Sequence, residues 1–169
     1  MRNITMRIEL PFNTLLYGSV SRYHTLEGMN SRAENGRHFV FIDCDETPLK
    51  AVVHSLTEIQ KMYDLGEIHI TADDKLNSYR VWCFKQVDFR TLMRIITWFP
   101  YTDVNYIRWT ARKGYATLRL SAKPGRAPQE VVHTIPGRTN KLPDEVQMVV
   151  YETPTGKSVR LGYRDVMME

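Results

Sequence analysis

The stretch Phe39-Val40-Phe41-Ile42-Asp43-Cys44-Asp45 is an unbroken β-rich apolar run of strand length that ends in two acids. Side chains alternate across a strand, so Val40, Ile42 and Cys44 share one face while Phe39, Phe41, Asp43 and Asp45 share the other. The aliphatic set belongs under helices. The opposite face then carries two carboxylates about 6 to 7 Å apart, which repel each other unless a cation lies between them.

Working outward, Thr47 and Pro48 form an N-cap and first-turn pair, and Leu49, Val52, Val53, Leu56, Ile59 and Tyr63 recur at helical spacing until Gly66. A helix is expected over 48–65. Glu67 to Thr71 alternates as a half-buried strand, Asp73 to Asn77 is turn-like, and Ser78 to Phe84 is a further β-rich run. Asp88 opens a second helix with the apolar stripe Phe89, Leu92, Met93, Ile96 and Phe99, closed by Pro100. Beyond Asp103, Tyr106 to Arg112 and Tyr115 to Ser121 are expected as two strands turning at Lys113-Gly114.

That order predicts an α+β domain: an RRM-like, ferredoxin-like β-α-β-β-α-β antiparallel sheet with two helices on one face, extended by an added strand. The expected organisation is an N-terminal extension over 1–37, with a short strand at Ile4 to Leu10 and otherwise loop, then the core over 38–126. Residues 127–169 follow as a Pro- and Gly-rich linker and a C-terminal β-hairpin over Val146 to Glu152 and Lys157 to Tyr163, packing on the core.

With 169 residues the chain can bury an ordinary core in one domain, and 43% apolar with 25% charged residues argues against disorder. No apolar run approaches the ~18 residues of a membrane span, and the opening Met-Arg-Asn-Ile-Thr has no signal-like apolar segment, so a cytoplasmic protein is expected. Cys44 and Cys83 both lie in apolar strand-like text and read as buried thiols. The five histidines show no metal-ligand spacing, and no phosphate-binding glycine loop occurs. The net charge of +4 is unevenly spread: no acid falls between Asp103 and Glu130, an interval holding Arg108, Arg112, Lys113, Arg119, Lys123 and Arg126. Such a stretch attracts an anion.

By parity, Arg80 and Trp82 share the face of the Asp pair, and Arg108, Thr110 and Arg112 of the expected fourth strand do so as well. A divalent ion, Mg²⁺ or Mn²⁺, answers the repulsion between the acids, since it takes carboxylate and water oxygens and leaves positions for phosphates.

In these features the chain resembles the catalytic core of the archaeo-eukaryotic primase superfamily, which includes plasmid and viral primase-polymerases built on an RRM-like sheet. Phe41-Ile42-Asp43-Cys44-Asp45 matches the family's h-h-D-h-D/E strand motif, Thr102-Asp103 is the candidate for its third motif, and Ser78-Tyr79-Arg80 stands where the family has small-x-His. The His is replaced by Arg80, which can still hold phosphate through its planar fork. The resemblance covers about Phe39 to Arg126. It implies a primer-synthesising or primer-extending nucleotidyltransferase of a replication or mobile-element system. Asp43, Asp45 and Asp103 would be catalytic and hold two metal ions, Mg²⁺ or Mn²⁺. Ser78 and Arg80 would bind nucleoside triphosphate, while Arg108, Arg112, Lys113, Arg119 and Lys123 would hold a single-stranded DNA or RNA template. A replication helicase is the partner implied.

Two other readings use the same residues. A non-catalytic RRM-like single-strand binder would stack bases on Phe39, Phe41 and Trp82. The run Lys113-Gly114-Tyr115-Ala116 resembles the start of an RNA-binding signature, although it follows the second helix and lacks the later aromatics. In the third reading the basic strand-turn-strand is a solvated hairpin of an interaction protein.

Overall fold

The structure is a computed structural model that describes residues 4–10, 14–20, 23–74, 76–122, 125–138 and 148–154. The fold is α+β, with antiparallel sheets and, among the described residues, three helices. Two compact units are distinguished: residues 26–150, and the described parts of 1–25 and 151–169. In the smaller unit β1 (Ile4–Leu10) pairs antiparallel with β2 (Thr14–Val20). The strand expected at Ile4 to Leu10 is present. The following text, expected as loop, contains β2 and also β3 (Tyr23–Asn30). Gly28 lies within β3, opposite Arg119.

The larger unit is organised on β4 (His38–Cys44), β5 (Ile68–Ala72), β6 (Tyr79–Val87) and β8 (Glu130–Ile135), in the antiparallel order β4-β6-β5-β8. Strand β8 falls inside the expected linker. It has no long apolar signal because most of its side chains are exposed, Val131 and Val132 included. β7 (Thr117–Arg119) pairs with β3 in a second sheet, and β9 (Met148–Pro154) covers the first arm of the expected C-terminal hairpin. The second arm, at 157–163, lies outside the described residues.

α1 (Leu49–Tyr63) buries Val52, Leu56 and Ile59, as its spacing predicts. Its N-cap is Pro48, with Thr47 Oγ1 turned back to donate to the Asp45 carbonyl, and its stop is Asp64 in the left-handed region rather than Gly66. α2 (Phe89–Trp98) is capped by Asp88, which accepts from the amide and hydroxyl of Thr91.

Two further expectations fail, both at the sheet face. Tyr106 to Arg112 is not a strand but lies within α3 (Val104–Lys113), and with that the placement of Arg108, Thr110 and Arg112 on the sheet face falls. The ends decide it: Asp103 Oδ1 accepts from the Tyr106 amide at 2.8 Å, and Gly114 closes the helix at φ 78°. The face of Phe39 and Phe41 is not open either. Phe39, Phe41, Val40 and Ile42 are all essentially inaccessible, so β4 is buried on both faces. Leu118 and Ala116, on and beside β7, join the same core cluster, with Met29 of β3 packed against it. No helix among the described residues is long and apolar enough to cross a membrane.

Candidate functional site

Alternation in β4 puts Asp43 on the face of Phe39 and Phe41, and the register sets it directly opposite Arg80 of β6, which in turn faces Thr71 of β5. Directly opposed side chains lie ~5 Å apart at Cβ, so Asp43 and Arg80 leave the sheet on the same side. The ring contacts confirm the face: Phe41 meets Trp82 at 5.1 Å and Phe84 at 5.9 Å.

The chain leaving α2 returns to this strand end. Thr102 bridges Cys44, and the Asp103 amide donates to the Asp43 carbonyl at 2.9 Å. Asp103 is thereby brought beside the Asp pair, and a cavity of about 330 Å³ is lined by Asp45, Glu46, Thr47, Tyr101, Thr102 and Asp103 among others. Glu46 holds φ 60°, a conformation that costs about 1 kcal/mol for a residue with a side chain. Tyr106, the residue whose amide Asp103 caps, donates its hydroxyl to the Phe41 carbonyl at 2.7 Å. Burial, and then the charge of Asp43, raise that hydroxyl well above the ordinary tyrosine range. Burial also pushes the Cys44 thiol up to about 12, with Asp43 and Asp45 adding to it.

Arg80 is not a solvent-facing phosphate hook. It is buried, and its Nη2 lies 3.6 Å from Oδ2 of Asp73, a carboxylate only 3% exposed. Arg119 approaches the same oxygen at 3.5 Å, and the half-exposed Arg126 lies 3.6 Å from Oδ1. Three guanidinium groups therefore converge on one acid. The floor beside them is a relay of polar side chains. Trp82 Nε1 donates to Thr71 Oγ1 at 2.9 Å, Thr71 Oγ1 donates to Gln129 Oε1 at 3.0 Å, and Gln129 Nε2 donates to the Arg119 carbonyl at 2.7 Å. Neither Asp73 nor Gln129 is marked by local sequence, because one sits in a polar turn and the other in Pro- and Gly-rich text. Ser78 is buried at the start of β6.

The basic interval is divided by the fold. Arg119 points into the Asp73 cluster, Lys123 lies outside the described residues, and Arg108, Arg112 and Lys113 are exposed on α3. Trp109 is 54% exposed on the same helix.

The donor chemistry suits one divalent ion better than two. Asp43 and Asp45 are half-exposed carboxylates at one strand end, a number that Mg²⁺ or Mn²⁺ accepts when water and phosphate oxygens complete the shell. Asp103 spends Oδ1 on its helix cap, and among the described residues no three His, Cys, Asp or Glu side chains gather as a metal cage.

No protein-family model, no curated protein and no solved structure matches the chain.

Proposed function

We propose that the chain is a primase-like nucleotidyltransferase domain of a replication or mobile-element system, acting on nucleoside triphosphates and a single-stranded DNA or RNA template. The observation that carries this reading is that Asp43 stands opposite Arg80 in the β4-β6 pair while its carbonyl accepts from the Asp103 amide, and that Asp45 and Asp103 line one cavity at this strand end. The order β4-α1-β5-β6-α2, with β4 beside β6 and β6 beside β5, supports an RRM-like, ferredoxin-like core. In this reading Thr102 takes the place of the fourth strand beside β4, and α3 is an insertion before β7.

Asp43 and Asp45 would hold one divalent ion, Mg²⁺ or Mn²⁺, whose charge offsets that of the triphosphate and the departing pyrophosphate. Arg126, the most accessible of the three arginines, would meet the phosphates first, and Arg80 would take over a phosphate oxygen in place of the Asp73 carboxylate. Asp103 fixes the loop on which the acids stand, through its amide bond to Asp43 and its cap of α3. A replication helicase would supply the single strand.

The test is template-directed primer synthesis and extension with Mg²⁺ or Mn²⁺, comparing the natural chain with Asp43→Asn and Asp45→Asn. Loss of at least about a hundredfold is expected in each, the scale of removing a group that acts on transition-state charge. Undiminished synthesis in both variants refutes the reading. A second reading, a single-strand binder without synthesis, is favoured by the engagement of Arg80 with Asp73. Its stacking surface is not the sheet, because Phe39 and Phe41 are buried.

A further inference from the structure

The exposed side of α3 has a composition that packing does not explain. The helix buries Thr110 and half-buries Tyr106 and Ile107, which suffices to dock it. Trp109 stays 54% exposed, yet a large indole is normally well covered. It is flanked instead by cations: the Arg112 guanidinium carbon lies 5.6 Å and the Lys113 nitrogen 5.9 Å from the ring centre. Lys113 is also 5.9 Å from the ring of Tyr115, so two aromatic faces share one ammonium. Arg108 stands one helical turn before Arg112, about 6 Å along the axis. Favourable interaction with the helix dipole accounts for Arg112 and Lys113 in the last turn. It accounts for neither Arg108 nor the exposed indole.

We propose that this face of α3 docks a single-stranded polynucleotide, an unpaired base stacking on Trp109 while Arg108, Arg112 and Lys113 hold the flanking phosphates. Charge complementarity selects this occupant. No acid occurs between Asp103 and Glu130, so α3 supplies no counter-charge beyond its cap, and the helix repeat sets Arg108 and Arg112 at a spacing that suits successive phosphates. A flat ring between cations also fits the alternation of base and phosphate along a strand. The inference rests on the nucleic-acid-binding half of the proposed function and is independent of synthesis.

The experiment titrates the full chain into fluorescently labelled dT and rU oligomers, with a duplex as competitor. Trp109→Ala should weaken single-strand binding by about tenfold or more, and Trp109→Phe should restore most of it. Trp98→Ala, which removes an exposed indole at the end of α2, should change little. The paired change Arg112→Ala with Lys113→Ala should flatten the dependence of log Kd on log salt by about one. Tighter binding to either sugar supports the inference and assigns the strand type. Trp109→Ala binding as tightly as the natural chain overturns it, as does a duplex competing equally well, or no binding at all. A chain that binds through Trp109 but makes no product sustains this inference and refutes the catalytic reading alone.

Discussion

Asp73 illustrates what a single residue can hide. It lies in a polar turn, yet Arg80, Arg119 and Arg126 reach it from three other places in the chain. Asp73→Ala takes a buried counter-charge from Arg80 and Arg119 together, and should cost about 3 to 5 kcal/mol by urea denaturation. A cost below about 1 kcal/mol would show that the cluster is not structural. The place of Asp43 and Asp45 at the end of β4, by contrast, is legible, because strand period needs only local sequence. His38 offers a pH-dependent test. It is buried beside Ser31 and Phe89, and burial, with a smaller contribution from Arg32, lowers its pKa from 6.5 against the opposing pull of Asp88. Below about pH 6.5 the unfolded chain therefore takes the proton first, so the stability is present above that pH and is lost as the pH falls. His38→Gln should flatten that slope in thermal melts between about pH 5 and 7, whatever its cost at neutral pH; an unchanged slope would assign the effect elsewhere.

Among the described helices, α3 is the one whose text reads as a strand. Ile107, Trp109 and Ala111 alternate with polar residues over a β-rich stretch, which is the pattern of a strand. The same text also satisfies helical spacing through Tyr106, Ile107 and Thr110, and only the caps at Asp103 and Gly114 decide between the two periods. The helices α1 and α2 were read correctly because their stripes fit one period only. Asp103 has two assignments, cap and site residue, and they separate cleanly. Asp103→Ala should lose about 1 kcal/mol of stability, whereas Asp103→Asn should keep most of the cap. If the carboxylate charge serves the reaction, Asp103→Asn will retain stability and still lose synthesis. Equal synthesis by Asp103→Asn and the natural chain would leave Asp103 a positioning residue only.

At the scale of the whole molecule, the β4-β6-β5 sheet followed from local runs, but its double-sided burial did not. Parity says which residues share a face and nothing of what covers that face, and the partners of Phe39 and Phe41 include groups distant in sequence. Strand β8 was missed for the opposite reason, since an edge strand with exposed side chains carries little apolar signal. The uneven charge of the chain predicts a global observable. If Arg108, Arg112 and Lys113 make the phosphate contacts, log K for single-strand binding should fall against log salt with a slope of about −2. A slope near zero would exclude phosphate contacts by all three.

Cys44 and Cys83 are both completely buried, and burial raises both thiols, Cys44 to about 12. The folded protein is therefore close to inert toward alkylating reagents and mild oxidants at neutral pH. A cysteine introduced at an exposed position of α3, such as Ala111, could be labelled selectively without first replacing the native pair, providing a reporter beside the indole.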